Sequence, residues 1–384
     1  MPYLGGRVRK PRRTVYAETV SEQPDSPVRF RPDMMSLPVY RQGKPPPPGG
    51  IKLSSNEVPF PPSPAVQKAL ENGQWNRYPD ATALGVRARL AKKYGVSADE
   101  VLVGAGSVAL LAQWIAAAAG PGDEVVYSWR SFEAYPGLVS VAGATSVQVA
   151  NTPDHRHDID GLVQAVTDKT RVLIVCTPNN PTSQIVTRGE FEGLMSRVPK
   201  SLLVILDEAY AEFVDHPDAV DGRDYLRKYP NLVVLRTLSK AYGLAGLRIG
   251  YAIASPAVIA PARAAAIPLS VSAPAQIAAE AALDHEDQIL GRLEEIREHM
   301  ARVRSEWSAG PMPLPWGNFA WLPVGQKTDQ VAQWLEREGV VARVFAGEGI
   351  RVSIAEPQGV EALLRVGLRI VSELQLDQPQ APLG

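Results

Sequence analysis

Between residues 65 and 255 the chain repeats one pattern, a short β-branched or aliphatic run followed by a stretch with helical spacing. The runs lie at 101–103, 124–127, 146–149, 172–176, 202–206, 232–235 and 249–253. Parallel strands need a crossover of a dozen or more residues, usually a helix, so this alternation predicts an α/β fold built on a seven-stranded, mostly parallel sheet. The nearly apolar stretch 107–120 is shorter than the roughly 20 residues of a membrane-spanning helix. It reads as a buried helix.

Beyond residue 285 the pattern changes. Ile289, Leu293, Ile296, Met300, Val303 and Trp307 recur at spacings of four and three, which predicts one face of a long helix. Strand-like runs at 318–323, 340–343 and 350–354, with a helix at 328–338, predict a smaller α+β unit. At 384 residues the chain exceeds one compact core. The expected division is a flexible arm at 1–35, a segment at 36–64 contributing to the smaller domain, a large domain at 65–284 and a small domain at 285–384. Pro45 to Pro48 with Gly49 and Gly50 mark an extended connector.

Composition excludes several partners. The net charge of −1 argues against a nucleic-acid binder, and the basic cluster Arg7, Arg9, Lys10, Arg12 and Arg13 precedes no apolar segment, which argues against a signal peptide. The single cysteine, Cys176, sits in an apolar run and cannot form an intramolecular disulfide, so a cytoplasmic, membrane-free setting is expected. His155 and His157 alternate with charged residues in a loop and read as a solvated turn, so no metal site is expected.

In an open parallel sheet ligands bind at the carboxyl ends of the strands. Four polar clusters each follow a run: Gly104-Ala105-Gly106-Ser107, Asn179-Asn180-Pro181-Thr182, Asp207-Glu208-Ala209-Tyr210 and Ser239-Lys240. Lys240 lies in a small, glycine-bearing turn, with Arg248 eight residues on. Desolvation and a neighbouring cation lower a lysine pKa, which frees its amine to attack an aldehyde. Asp207 ends a strand and can hold a pyridine nitrogen protonated, making an electron sink. Tyr210 and Asn180 offer donors to a phenolic oxygen, although Asn179-Asn180-Pro181 by itself is equally a turn. Gly106 and Ser107 open the apolar helix, where free amides hold phosphate, and Ser239 and Arg248 add a hydroxyl and a guanidinium.

These residues resemble the fold-type I aminotransferases dependent on pyridoxal 5'-phosphate (PLP), and among them the histidinol-phosphate aminotransferase-like branch. The similarity spans roughly residues 36–370. It rests on Ser55-Asn56-Glu57, Arg77-Tyr78-Pro79, Gly106-Ser107-Val108, Asn179-Asn180-Pro181-Thr182, Asp207-Glu208-Ala209-Tyr210, Thr237-Leu238-Ser239-Lys240, Gly246-Leu247-Arg248 and Arg351-Val352-Ser353-Ile354. The resemblance implies Lys240, Asp207 and Tyr210 as catalytic residues. It implies Gly106, Ser107, Val108, Asn180, Thr237, Ser239 and Arg248 around the cofactor, and Phe132 stacked on its ring. Tyr78 would reach the phosphate of a neighbouring subunit, giving a homodimer with shared sites.

The segments 104–110, 317–319 and 345–351 look most like the aromatic (phenylalanine) aminotransferases. Arg351 would bind the substrate carboxylate, Asn56 would lie beside the substrate, and Phe319 and Tyr40, with Phe132 and Trp129, would form an apolar pocket. Arg343 stays available for a second anionic group, which keeps a histidinol-phosphate aminotransferase open. A PLP-dependent decarboxylase of a phosphorylated amino acid also fits the cofactor residues. Two positions depart from the family pattern. Ser183 and Ala355 stand where glycine is usual, which restricts the backbone if φ is positive there.

Overall fold

Strand parity organises the molecule. In a strand, successive side chains point to opposite faces. Val172, Ile174 and Cys176 join one buried cluster with the helix Ser107–Ala118, whereas Leu173 and Val175 join another with the helix Arg188–Arg197. A strand covered on both faces has no polar side, which is why these runs read as continuously apolar. The computed structural model describes residues 27–35, 37, 45–71, 73, 75–307 and 312–374.

All seven expected strands form one sheet: β2 (Val101–Gly104), β3 (Glu124–Trp129), β4 (Thr145–Ala150), β5 (Thr170–Cys176), β6 (Leu203–Asp207), β7 (Leu232–Thr237) and β8 (Gly250–Ala254). Their order is β2-β8-β7-β6-β5-β3-β4. Only β8 runs antiparallel to its neighbours β2 and β7. The remaining pairs are parallel.

A second sheet holds β1 (Ile51–Leu53), β9 (Phe319–Leu322), β10 (Val340–Phe345) and β11 (Gly349–Ser353) in the order β1-β10-β11-β9. The pairing of Ile51 with Val340 is parallel and could not be read locally, because three residues carry no periodicity. The single long helix expected after residue 285 is instead two, Glu286–Gly291 and Glu294–Trp307. The break leaves the apolar stripe intact, since Ile289, Leu293, Ile296, Met300, Val303 and Trp307 are all buried. At the amino end, Arg31 donates to the carbonyls of Ser140 and Val141, binding the short helix Pro32–Met35 to the end of the helix Tyr135–Ala142.

Candidate active site

The parallel strands bring their carboxyl ends to one edge of the large sheet. Because β8 runs the other way, its amino end meets the same edge, with Gly250 paired to both Gly104 and Thr237. Arg248 precedes its strand and still arrives beside Gly106 and Ser239, which follow theirs. Parity then selects sides. Asp207 shares the face of Ile205, and Thr237 that of Val233 and Leu235. Glu208 and Arg236 point to the other face and form a buried ion pair at 2.7 Å.

An anion cradle forms at the start of the helix Ser107–Ala118. Gly106 has φ 85°, and a Cβ there would stand 2.6 Å from Arg248 Nη2. A Cβ on Gly250 would stand 2.5 Å from the Ser107 amide nitrogen. Both glycines therefore let backbone and guanidinium approach closely. Arg248 Nη1 donates to Ser239 Oγ at 3.4 Å and to the Ala245 carbonyl at 2.8 Å. A helix amino terminus, a hydroxyl and a guanidinium together suit an anion such as phosphate. Val108 is half-buried in the first turn of the same helix.

Asp207 is buried at the end of β6. Tyr135 donates to its Oδ2 at 2.7 Å, while Oδ1 has no partner. Burial pushes this carboxyl up to about 6, against the opposing pull of the Tyr135 hydroxyl and the Ala209 amide. The half-buried Phe132 ring packs edge-on against Tyr135, with centroids 5.5 Å apart.

Lys240 Nζ donates to the Ser55 carbonyl at 2.6 Å. Burial brings its pKa down to about 7, with Arg351 and Arg248 adding to the shift and Glu57 opposing it. Tyr210 lies behind the lysine, with Nζ 5.7 Å from its ring centroid. Asn56 Nδ2 donates to the Tyr210 hydroxyl at 3.1 Å, which leaves the phenol proton to be given elsewhere. Burial raises this phenol to about 12. Asn180 Oδ1 accepts from Arg351 Nη1 at 2.6 Å, so its amide nitrogen remains the donor end. Arg351 also donates to the Ser54 carbonyl at 2.5 Å, and the Tyr210 and Phe319 rings meet edge-on at 4.7 Å.

Residues 48–364 match the family described as aminotransferase class I and II. The chain belongs to that family. An aromatic amino acid aminotransferase of Streptomyces avermitilis is 46% identical over 356 residues, covering 90% of this chain and 98% of the relative. One of Mycobacterium bovis is 43% identical over 347 residues, covering 89% and 98%. The histidinol-phosphate aminotransferase of Sinorhizobium meliloti, solved in complex with pyridoxal-5'-phosphate, shares the fold. Its TM-score is 0.79 at 24% identity, over 90% of this chain and 98% of that one.

Class I and II aminotransferases depend on PLP, and this aminotransferase has the groups to hold it. Asp207 Oδ1 is a buried carboxylate oxygen without a protein partner. The Gly106 turn keeps clear the space beside Arg248 that a side chain would fill. Lys240 presents an amine with a lowered pKa. Those three features suit a ring nitrogen, a phosphate and an aldehyde respectively.

Other expected residues lie differently. Arg343, read as free for a second anion, is ion-paired with Glu133, its Nε 3.1 Å from Oε2. Tyr78 is 87% exposed and so is no core tyrosine of its own chain. Tyr40 lies outside the described residues. Ser183 does adopt positive φ, at 62°, and its hydroxyl accepts the amides of Trp316 at 3.2 Å and Gly317 at 2.9 Å. Ala355 is not among the positive-φ residues, so alanine there carries no left-handed strain.

Sequence reasoning missed Tyr135 and Glu133. Their only sequence signal is nearness to Phe132, because their partners Asp207 and Arg343 lie 72 and 210 residues away.

Proposed function

We propose that this aminotransferase moves an amino group between an aromatic, phenylalanine-like L-amino acid and a 2-oxo acid such as 2-oxoglutarate. The observation carrying this reading is the identity of 46% to an aromatic amino acid aminotransferase across nearly its whole length. The pairing of Arg343 with Glu133 supports it against histidinol phosphate, since a guanidinium already neutralised is a poor phosphate ligand.

When bound, PLP supplies an aldehyde that takes up amines and a conjugated ring that disperses the electron pair left at the substrate Cα. Lys240 Nζ, neutral above about pH 7, takes the proton from that Cα. Asp207 holds a proton on the ring nitrogen. Tyr210 and Asn180 donate to the phenolic oxygen. Ser107, Ser239 and Arg248 hold the phosphate, with Gly106 leaving room for it and Val108 and Thr237 beside it. Arg351, held by Asn180 and the Ser54 carbonyl, receives the substrate carboxylate near Asn56. Phe132, Trp129 and Phe319 wall an apolar side-chain pocket.

The exposure of Tyr78 supports a homodimer in which that hydroxyl completes the anion cradle of a second copy. The pairing of β1 with β10 supports assigning 36–64 with 285–384 to a smaller domain, beside a larger one at 65–284. A cytoplasmic setting accords with one buried thiol, and no helix among the described residues is long and apolar enough to cross a membrane.

Steady-state assay of phenylalanine, tyrosine, tryptophan and histidinol phosphate with 2-oxoglutarate tests the reading. An aromatic donor should give the highest kcat/KM. A preference for histidinol phosphate, or release of carbon dioxide without transamination, would overturn it.

A further inference from the structure

Tyr135 touches two parts of the site at once. Its hydroxyl donates to Asp207 Oδ2 at 2.7 Å, and its ring meets Phe132 edge-on at an interplanar angle of 89°. It is fully buried at the first position of the helix Tyr135–Ala142, and its amide donates to the Phe132 carbonyl at 3.1 Å. That turn fixes the spacing of the two aromatics. A carboxylate with one oxygen engaged by a buried donor has a set orientation, and its other oxygen, Oδ1, is the one without a partner.

We propose that Tyr135 is a positioning residue that turns Asp207 Oδ1 toward the cofactor's ring nitrogen and keeps that carboxylate ionised. The proposal rests on the reading that Asp207 meets the ring nitrogen. A buried anion without a charge partner takes up a proton unless a donor stabilises it. Tyr135 is the side chain that donates to it. The other titratable groups around Asp207 do not supply that charge balance. Cys176, opposite it on β5, is pushed up to about 12 by burial. Tyr210 is likewise raised by burial, and His157, whose Nε2 meets the Cys176 carbonyl at 2.6 Å, is held below its usual range by burial. All three are uncharged at neutral pH, so none of them balances the charge of Asp207.

The test compares dissociation constants of the full-length chain, stripped of cofactor, for PLP and for its deaza analogue, in which C–H replaces the ring nitrogen. Asp207→Asn should lower the preference for PLP over the analogue. Tyr135→Phe should also lower it, by about tenfold, the scale of one hydrogen bond to a charged group. It should also move the acid limb of PLP binding upward in pH, with no such limb for the analogue. A Tyr135→Phe chain that weakens both ligands equally has lost packing alone, which overturns the proposal while the role of Asp207 stands. If Asp207→Asn itself leaves the preference unchanged, the reading of Asp207 fails and the proposal fails with it. Tyr135→Phe strands a buried carboxylate and can unfold, so the double variant with Asp207→Asn gives an independent arm. There the second substitution should leave the preference of Asp207→Asn unchanged within about twofold, and a further loss overturns the proposal.

Discussion

Arg343 and Arg351 stand directly opposite each other across the β10–β11 pair, which puts both side chains on one face of the small sheet. Like charges so placed repel, and each is held apart by its own acceptor across the cleft. Arg351 takes Asn180 and Ser54, and Arg343 takes Glu133. Glu133 thereby cancels one of the two positive charges on that face. Replacing it with glutamine should raise kcat/KM for histidinol phosphate by about tenfold, the order of one charge-assisted pair, and leave phenylalanine within about twofold. Parallel steady-state assays check this, and unchanged selectivity would place Arg343 out of reach of the substrate.

Lys240 in the cofactor-free chain should react as a free amine from about pH 7 upward. A lysine whose pKa is brought down to about 7 is protonated below that pH and neutral above it. Trapping with a small aldehyde and borohydride, quantified by peptide mapping, should rise with a midpoint near 7. A midpoint near 10 would mean an ordinary solvated lysine.

Asp207→Asn should lower turnover by about 100- to 1000-fold, the scale of removing one key electrostatic group. Its cofactor-free chain should behave oppositely in stability. A carboxyl raised to about 6 binds its proton more tightly folded than unfolded, so ionising it costs stability increasingly as pH climbs from about 4 through 6. Asparagine lacks that cost. At pH 8 the variant should therefore be more stable than the parent by about 3 kcal/mol, a shift of about two pKa units, with little difference at pH 4. Thermal melts at both pH values test the sign.

Ser183 should tolerate glycine better than alanine. Its backbone lies at φ 62°, where alanine costs about 1 kcal/mol more than glycine. Both variants lose the hydroxyl that receives Trp316 and Gly317; the Trp316 amide keeps the Ser183 carbonyl at 3.2 Å, while the buried Gly317 amide is left short of a partner, at a cost of about 1–3 kcal/mol. Denaturant unfolding should rank the parent first, Ser183→Gly second and Ser183→Ala last. A stable alanine variant would falsify the bridging role of the hydroxyl.

Tyr78→Phe should weaken PLP retention by about 1 kcal/mol or somewhat more, since the acceptor is charged. Mixing Lys240→Ala chains with Tyr78→Ala chains gives the sharper measurement. If Tyr78 serves the second copy, a hybrid dimer gathers both lesions in one site and leaves the other whole, so activity rises above either parent. No recovery after demonstrated subunit exchange counts against a shared site.

Read alone, the sequence determined the seven strands of the large sheet and the edge at which Ser107, Asn180, Asp207 and Lys240 gather. Those features are local, because a strand declares itself by its own apolar run and its carboxyl end by the polar residues that follow. Tertiary structure decided which side chains meet. Asn56 reaches Ser353 across 297 residues, Arg351 reaches Asn180 across 171, and Tyr135 reaches Asp207 across 72. Periodicity assigns a residue to a face and says nothing of what packs opposite. The same limit explains the loss of Arg343 to Glu133 and the strand β1, whose three residues become a strand only by pairing with β10. Contacts between distant segments depend on how whole layers stack, and no short window of sequence encodes that choice.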